Sequence, residues 1–177
     1  SKIIFDKFKM PSFINYESLR DRLIVLDGWS KTYCMTGWRL GWSLWPKKLI
    51  EYANKLCVNN HSCPSSISQY AALSALKGEE EFIFKNNQIF KKRRDLIVDT
   101  INQCKGLSVN KPLGAFYIFP SCAKLIGSKT KKNALISNDS DFCKYLIEEV
   151  GVAAVPGVAF GKKGYFRISY ATSDELL

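Results

Sequence analysis

Apolar residues along this chain fall into two patterns, short continuous runs and longer stretches with helical spacing. The run within residues 20–28, bounded by charged residues and glycine, predicts a buried strand of the kind found in α/β sheets. Residues 39–45 predict a second strand, which Pro46 ends. Apolar positions at helical spacing then predict four helices. The predicted helices cover residues 47–58, 65–76, 79–104 and 140–149.

Local signals support the ends of the second and third predicted helices. Ser65 or Ser66 can cap the start of the second helix, and Gly78 provides its end. The third helix has glutamates at 79–81 in its first turn and basic residues in its later part, as the helix dipole favours.

The remainder of the chain mixes short strands with the fourth helix, and the polar, lysine-rich segment 124–138 predicts a surface loop. The pattern therefore predicts two parts: residues 1–58, which hold the last strands and linking helix of a larger α/β domain, and residues 59–177, a small α+β domain. We expect both ends of the chain to be truncated, because a helix start at Ser173 is followed by only a few residues. The predicted strands of the second part cover residues 114–119, 152–155 and 165–170.

Composition narrows the class of protein. The 177 residues are 46% hydrophobic and 24% charged, which is ordinary for a globular domain. No apolar run reaches the ~18 residues of a membrane span, and we expect no membrane partner. The six cysteines form no C-x-x-C pair and His61 is the only histidine, so no metal site is expected. The cysteines are expected to be reduced and buried, with disulfides as the alternative, and the expected location is the cytoplasm.

The net charge of +10 could indicate an acidic partner such as nucleic acid. The basic residues are dispersed, however, with small clusters only at 91–94, 129–132 and 162–163. The 91–94 cluster spreads around a predicted helix and favours a solvated face. We expect no nucleic-acid partner, and keep a basic nucleic-acid-binding module without catalysis as the remote alternative.

The segment that follows the first predicted strand carries the clearest candidate chemistry. Lys31 comes just after that strand, and Arg39 lies eight positions later, beyond a bend at Met35–Gly37. A lysine that forms an imine with an aldehyde benefits from partial burial and a neighbouring cation, which favour its uncharged form. The planar guanidinium of Arg39 can bind two phosphate oxygens, and the hydroxyl of Ser30 could reach the same phosphate.

Four motifs along the chain resemble, in the same order, those of the class I/II pyridoxal-phosphate aminotransferases, the aspartate aminotransferase family. The first motif resembles the family's lysine signature, and the last resembles its final strand. In between, one motif resembles a P-x-G-A-F-Y strand and another a V-P-G-x-x-F-G turn. The motifs are Ser30–Trp42, Pro112–Tyr117, Val155–Gly161 and Phe166–Ala171.

The resemblance implies a role for each matching residue. Lys31 would form the Schiff base with pyridoxal 5'-phosphate and shuttle the Cα proton, and Arg39 would bind the cofactor phosphate, with Ser30 as a weaker candidate. Arg167 would hold the α-carboxylate of the substrate. An extended strand agrees with this, because Arg167 projects from the face opposite to Phe166 and Ile168. Tyr117 and Phe160 are expected to pack in the core, with lining of the substrate pocket as the alternative.

The chain also departs from the family's pattern. Many relatives have a phosphate-binding serine three positions before the lysine, where this chain has Gly28. The aspartate and tyrosine that contact the ring nitrogen and phenol oxygen of the cofactor belong to a D-x-x-Y segment expected before Ser1. We therefore expect this piece alone to be inactive.

The resemblance implies the carboxy-terminal portion of an aspartate-aminotransferase-like α/β fold, comprising the end of the large cofactor domain and a small α+β domain. The intact enzyme would be a cytoplasmic homodimer that exchanges the amino group between an L-amino acid and a 2-oxo acid. A lyase or decarboxylase of the same fold and cofactor is the nearer alternative.

Overall fold

Helices form the longest elements of the structure, a computed structural model that describes residues 2–177. It contains two compact units, of which the first ends at Lys85 and the second spans Asn86–Leu177. The division predicted between residues 58 and 59 stays a prediction. All four predicted helices are confirmed, and the first begins with a 3-10 turn at Lys47–Leu49. The helices are α1 (Ile50–His61), α2 (Ser66–Lys77), α3 (Glu81–Gln103) and α4 (Asp139–Val150).

The helix ends follow their capping residues. Helix α2 begins after Ser65, whose side chain makes no capping hydrogen bond, so the expected serine cap is present by position only. The helix ends before Gly78, whose N–H donates to Ser74 O at 2.9 Å. At the start of α4 the side chain of Asn138 accepts a hydrogen bond from the Asp141 N–H at 2.9 Å, which satisfies one of the free donors of the first turn. Helix α4 ends at Gly151, which adopts the left-handed conformation at φ 69°.

The first unit contains one antiparallel pair of strands, β1 (Val25–Gly28) and β2 (Gly41–Leu44), in a register that runs from Val25 opposite Leu44 to Gly28 opposite Gly41. The predicted buried strand over 20–28 is wrong in length and in burial, since Leu26 is 73% exposed. Among the described residues of the first unit β1 and β2 pair only with each other, and all four residues of β2 are exposed, so the apolar run stays accessible. The second strand begins later than predicted because Arg39 has φ 52° and ψ 45°, which an extended strand does not accommodate.

A small apolar cluster joins the β1–β2 connection to helix α2. Trp29, Met35 and Leu40 are buried with Ala72 of α2, and Tyr33 packs against them. The connection of residues 29–40 is therefore anchored at its beginning, middle and end.

The second unit contains a three-stranded antiparallel sheet with β5 (Phe166–Ser169) between β3 (Tyr117–Ile118) and β4 (Val155–Pro156). The predicted strand 165–170 is confirmed as β5. The predicted strand 114–119 shrinks to two residues, because Ala115 has φ 68° and cannot lie in an extended strand.

The core of the second unit has two clusters. One joins Phe142 and Cys143 of α4 to Phe166 of β5, with Cys122 and Ile136. The other joins Val98 of α3 to Ile118 and Tyr170. Burial of Ile136 corrects the prediction that the whole of 124–138 is a surface loop.

Two further expectations about side chains are corrected by burial. Arg94 is 0% exposed, so the 91–94 cluster is not a wholly solvated face. All six cysteines are free thiols, but only Cys122 and Cys143 are buried. Burial raises the pKa of both buried thiols to about 11.

The described residues offer neither a metal-binding cluster nor a membrane-spanning helix. Residues 2–177 contain no cluster of three or more His, Cys, Asp or Glu side chains arranged to hold a metal ion. Over the same residues, no helix is long and apolar enough to cross a membrane.

Candidate functional site

The loop of residues 29–40, called here the lysine loop, leaves and re-enters the paired end of β1 and β2. Lys31 lies three residues after Gly28, and Arg39 lies two residues before Gly41. Gly28 and Gly41 face each other across the strand pair. Both cationic residues therefore emerge at the same end of the strand pair, and Ser30 emerges with them.

Hydrogen bonds within the lysine loop define its course. The N–H of Tyr33 donates to Trp29 O at 3.1 Å, and that of Cys34 donates to Lys31 O at 3.3 Å. Residues Thr36–Trp38 form a 3-10 turn, and the guanidinium of Arg39 donates through Nη1 to Thr36 O at 3.2 Å. The left-handed backbone of Arg39 thus turns the chain into β2, while its side chain closes the turn that precedes it.

The predicted cofactor residues lie at the surface of the first unit. Lys31 and Arg39 are exposed and Ser30 is half-buried, so the partial burial expected for Lys31 is not present in this unit. Within the first unit no carboxylate forms an ion pair with Arg39. An amine, a hydroxyl and an uncompensated guanidinium on one loop are a donor set that fits a phosphorylated aldehyde such as pyridoxal phosphate.

Gly28 lies where β1 and β2 approach most closely. A Cβ at this position would lie 3.0 Å from Leu40 O and 3.3 Å from the Cα of Gly41. This chain therefore has glycine, and not the serine expected from the family pattern, at a position where the backbones of β1 and β2 are in close contact beside the lysine loop.

Arg167, the predicted substrate residue, lies on β5 in the second unit, where its side chain contacts two aromatic rings. Its guanidinium carbon is 4.7 Å from the ring centroid of Phe160 and 5.2 Å from that of Tyr117. These distances are within cation–π range. Within the second unit no carboxylate pairs with Arg167, so its N–H donors can bind an external carboxylate.

The sequence led us to expect both rings in the core, but neither ring lies there. Tyr117 is 36% exposed and Phe160 is 48% exposed. Tyr117 is opposite Ser169 on β5, which shares a face with Arg167, so the tyrosine is a diagonal neighbour of the arginine. Phe160 ends a 3-10 turn at Gly157–Phe160, which directly follows β4.

Asp139 is a residue that the sequence reasoning missed. Its carboxylate is 2% exposed and accepts hydrogen bonds from Val158 N at 2.7 Å and Gly164 N at 3.4 Å. Burial alone would raise the pKa of Asp139, but the backbone N–H donors outweigh it and hold the pKa below its ordinary value. An acidic residue at a helix start is common for dipole reasons, so the sequence carried no signal of this second role.

Comparison with known proteins gives the same family along nearly the whole chain. The family model described as "Aminotransferase class I and II" matches residues 5–177. An aspartate/prephenate aminotransferase of Cereibacter sphaeroides is 44% identical over 176 residues, which are 99% of this chain and 44% of that protein. A probable aspartate/prephenate aminotransferase of Rickettsia bellii is 46% identical, again over 99% of this chain and 44% of that protein.

Solved structures agree with the sequence relatives. The crystal structure of the aspartate aminotransferase from Rhizobium meliloti matches with a TM-score of 0.93 and 43% identity, over 98% of this chain and 44% of that one. The aromatic aminotransferase from Pyrococcus horikoshii matches with a TM-score of 0.87 and 38% identity, over 98% of this chain and 45% of that one. The chain thus spans less than half the length of these relatives, and its fold is the matching part of the aspartate aminotransferase fold. With a family match over residues 5–177, the chain belongs to the class I and II aminotransferase family.

Proposed function

We propose that this chain carries part of the active site of a pyridoxal-phosphate-dependent aminotransferase. The enzyme exchanges the amino group between an L-amino acid and a 2-oxo acid. The observation that carries the proposal is the lysine loop, which brings Lys31, Ser30 and Arg39 out of one end of the β1–β2 pair. Spacing in the sequence alone would leave these three residues unrelated.

In this proposal, Lys31, Arg39 and Ser30 of the lysine loop each help to hold the cofactor. Lys31 holds it covalently through Nζ, and Arg39 binds its phosphate through the N–H groups that the bond to Thr36 O leaves open. The hydroxyl of Ser30 adds a further donor to the phosphate. When bound, pyridoxal phosphate supplies a ring that withdraws electrons from the substrate's Cα. The amino group of the substrate would displace Nζ of Lys31 from the cofactor, and the amine freed in this way would serve as general base and acid for the proton on that carbon.

Arg167 binds the α-carboxylate of the amino acid or oxo acid. A guanidinium fork can bond both carboxylate oxygens, which selects this substrate class and fixes the orientation of the Cα–H bond. Two curated relatives are named for aspartate and prephenate, and both of those compounds carry carboxylates. We infer substrates of the same acidic class for this enzyme.

The intact enzyme is, in this proposal, a cytoplasmic homodimer, as the family resemblance implies. The present chain alone is expected to show no transaminase activity, since it spans about 44% of the length of its curated relatives. Sedimentation of the intact enzyme at micromolar concentration tests the dimer.

The cofactor assignment is tested by adding pyridoxal phosphate, reducing with borohydride, and mapping the modified lysine by mass spectrometry in the intact enzyme. Label confined to Lys31 supports the proposal, and label spread over surface lysines contradicts it. Arg39→Ala is expected to abolish the selective labelling. Arg20→Ala is the matched control, because Arg20 is an exposed arginine of the same unit that pairs with Glu17.

Product analysis separates transamination from the other reactions of this cofactor. A mixture of aspartate and 2-oxoglutarate should give glutamate and oxaloacetate in equal amounts. Release of ammonia or carbon dioxide in place of glutamate would identify a lyase or a decarboxylase and overturn the transaminase assignment.

A further inference from the structure

The turn that carries Phe160 is hydrogen-bonded to the buried carboxylate of Asp139. Asp139 at the start of α4 accepts hydrogen bonds from Val158 N and Gly164 N. The turn is closed on itself by Lys162 N, which donates to Gly157 O at 3.0 Å. Val158 lies inside the turn and Gly164 lies beyond its end, so the carboxylate ties α4 to the segment between β4 and β5.

The geometry at Gly157 leaves this turn little freedom. Its N–H donates to Tyr165 O at 2.7 Å. A Cβ at Gly157 would lie 2.7 Å from the same oxygen and would clash more severely with Lys162 O. Because these backbone atoms pack so closely, the position of Phe160 depends on the hydrogen bonds that hold the turn. Asp139 is the charged residue among the partners in those bonds.

A restricted position of Phe160 also restricts the side chain of Arg167, because the two are in contact. The ring of Phe160 contacts the guanidinium, with 4.7 Å between the ring centroid and Cζ. The other neighbours of the ring are also fixed: Phe119 packs edge-on against it at 5.9 Å, and Phe119 in turn stacks on Tyr165 at 5.3 Å. A long arginine side chain has considerable rotamer freedom, which two aromatic neighbours reduce before any ligand binds.

We propose that Asp139 is a positioning residue for carboxylate binding, acting through the 157–160 turn and the ring of Phe160 on the guanidinium of Arg167. Tyr117 contributes the second ring. The proposal deepens the proposed function and rests on it for the identity of the ligand, but the contact between turn and guanidinium can be measured independently of any activity.

The first test is NMR of this chain labelled with ¹⁵N-arginine, read at the Arg167 Nε–Hε group. Ring currents of the two aromatic neighbours should move this resonance away from those of the exposed arginines. Phe160→Leu and Asp139→Asn are both expected to return it towards the exposed position. Asp141→Asn is the matched control, because Asp141 lies in the same helical turn and accepts a hydrogen bond from Ser137 N instead.

The second test is kinetic and uses the intact enzyme. Asp139→Asn should raise the KM for the amino acid by about tenfold with a smaller change in kcat, since small misplacements of a binding group cost up to about 10²-fold. Labelling of Lys31 by pyridoxal phosphate should not change. Phe160→Leu should raise the same KM by about threefold to thirtyfold, the range of one cation–π contact.

A double-mutant cycle decides whether Asp139 acts through Phe160. If it does, the double variant Asp139→Asn/Phe160→Leu has a KM close to that of the worse single variant. Multiplied effects, or an unchanged Arg167 resonance in Asp139→Asn, would overturn the proposal.

If Asp139→Asn does not fold, Asp139→Glu gives the same readout, since it keeps the charge and displaces the oxygens by one methylene. A shifted Arg167 resonance in this variant supports the proposal that Asp139 acts on Arg167 through the turn and Phe160, and an unshifted resonance overturns it. Failure of the proposed function is recognised separately, as absence of transamination and of Lys31 labelling in the wild type.

Discussion

The guanidinium of Arg94, fully buried on α3, donates a hydrogen bond of 2.9 Å to the carbonyl oxygen of Pro112. Pro112 opens the segment that leads into β3 and therefore to Tyr117. The same segment is held from the other side by the hydroxyl of Tyr170, which donates to Ala115 O at 3.0 Å. A buried arginine thus supports the strand whose Tyr117 ring contacts Arg167.

Replacing Arg94 by methionine should destabilise the second unit by about 2–3 kcal/mol. The variant loses hydrogen bonds made by a charged donor and leaves the partly buried oxygen of Pro112 without this donor. Urea unfolding followed by circular dichroism measures the effect.

Lys92→Met is the matched control for this variant, because Lys92 is the exposed neighbour on the same helix. It should change stability by less than about 0.5 kcal/mol. Equal effects of the two substitutions would contradict the structural role of Arg94.

Asp95 contacts three cations, of which the buried Arg94 is one. Its Oδ1 is 2.6 Å from Lys111 Nζ and 3.0 Å from Arg94 Nε, and its Oδ2 is 3.1 Å from Lys91 Nζ. Burial alone would raise the pKa of Asp95, but hydrogen bonds from Lys111 and Lys91 and the charge of Arg94 lower it to about 2.

This lowered pKa predicts a loss of stability in acid. The folded-state pKa lies below the ordinary value of 3.8, so the stabilisation is present above pH 3.8 and disappears as the pH falls towards 2. Asp95→Asn should therefore be less stable than the wild type by about 1–2 kcal/mol near neutral pH, after allowance for solvent screening. The difference should vanish near pH 2.

Thermal unfolding between pH 2 and pH 7 measures this difference. Asp99→Asn, an exposed carboxylate on the same helix, should follow the wild-type curve. A gap between Asp95→Asn and the wild type that is independent of pH would show that the carboxylate's charge does not contribute.

The helices could be predicted from the sequence because their signals are local. The spacing of apolar residues lies within each helix, and the flanking residues Ser65 and Gly78 are the direct neighbours of α2 in sequence. The strands depended on partners far along the chain. Ala115 adopts φ 68° in the segment predicted to be a strand, and its oxygen accepts a hydrogen bond from Tyr170, a residue 55 positions further along the chain.

The site divides in the same way. Lys31, Arg39 and Arg167 were assigned to the site from motif resemblance, and their roles stay predictions. The contacts of Asp139 and Arg94 could not be predicted, because each side chain bonds backbone groups that lie 18 to 25 residues away in sequence. Spacing of this kind carries no periodic signal. The buried charge of Arg94 was hidden further by its neighbours, since a run of four basic residues is typical of a solvated surface.

The 157–160 turn offers a comparison between two glycines. Gly157→Ala introduces a Cβ against backbone oxygens and should destabilise the second unit by about 3 kcal/mol. Gly161 has φ 72° but open space around a Cβ, so Gly161→Ala should cost only about 1 kcal/mol, the strain of a left-handed alanine. Urea unfolding of both variants gives the order, and a larger effect at Gly161 would contradict the packing described for the turn.

The substitution Gly28→Ser tests whether the serine expected from the family pattern can be accommodated at this position. The backbone of β2 occupies the space beside it, since a Cβ would lie 3.0 Å from Leu40 O. Gly28→Ser should therefore push β2 away from β1 at the root of the lysine loop. We expect a loss of about 1–2 kcal/mol in stability, as for moderate overpacking, and no gain in phosphate binding.

The consequence for the cofactor can be measured through the labelling of Lys31. Displacing the strand end moves Arg39 relative to Lys31, because the two residues leave the pair on different strands. Labelling of Lys31 by pyridoxal phosphate in Gly28→Ser should be about tenfold slower than in the wild type, as expected for a misplaced anion anchor. Gly37→Ser is the matched control, since a Cβ at Gly37 meets no atom within 4 Å. Faster labelling in Gly28→Ser would show instead that the strands separate without strain and that a hydroxyl at this position completes the phosphate site.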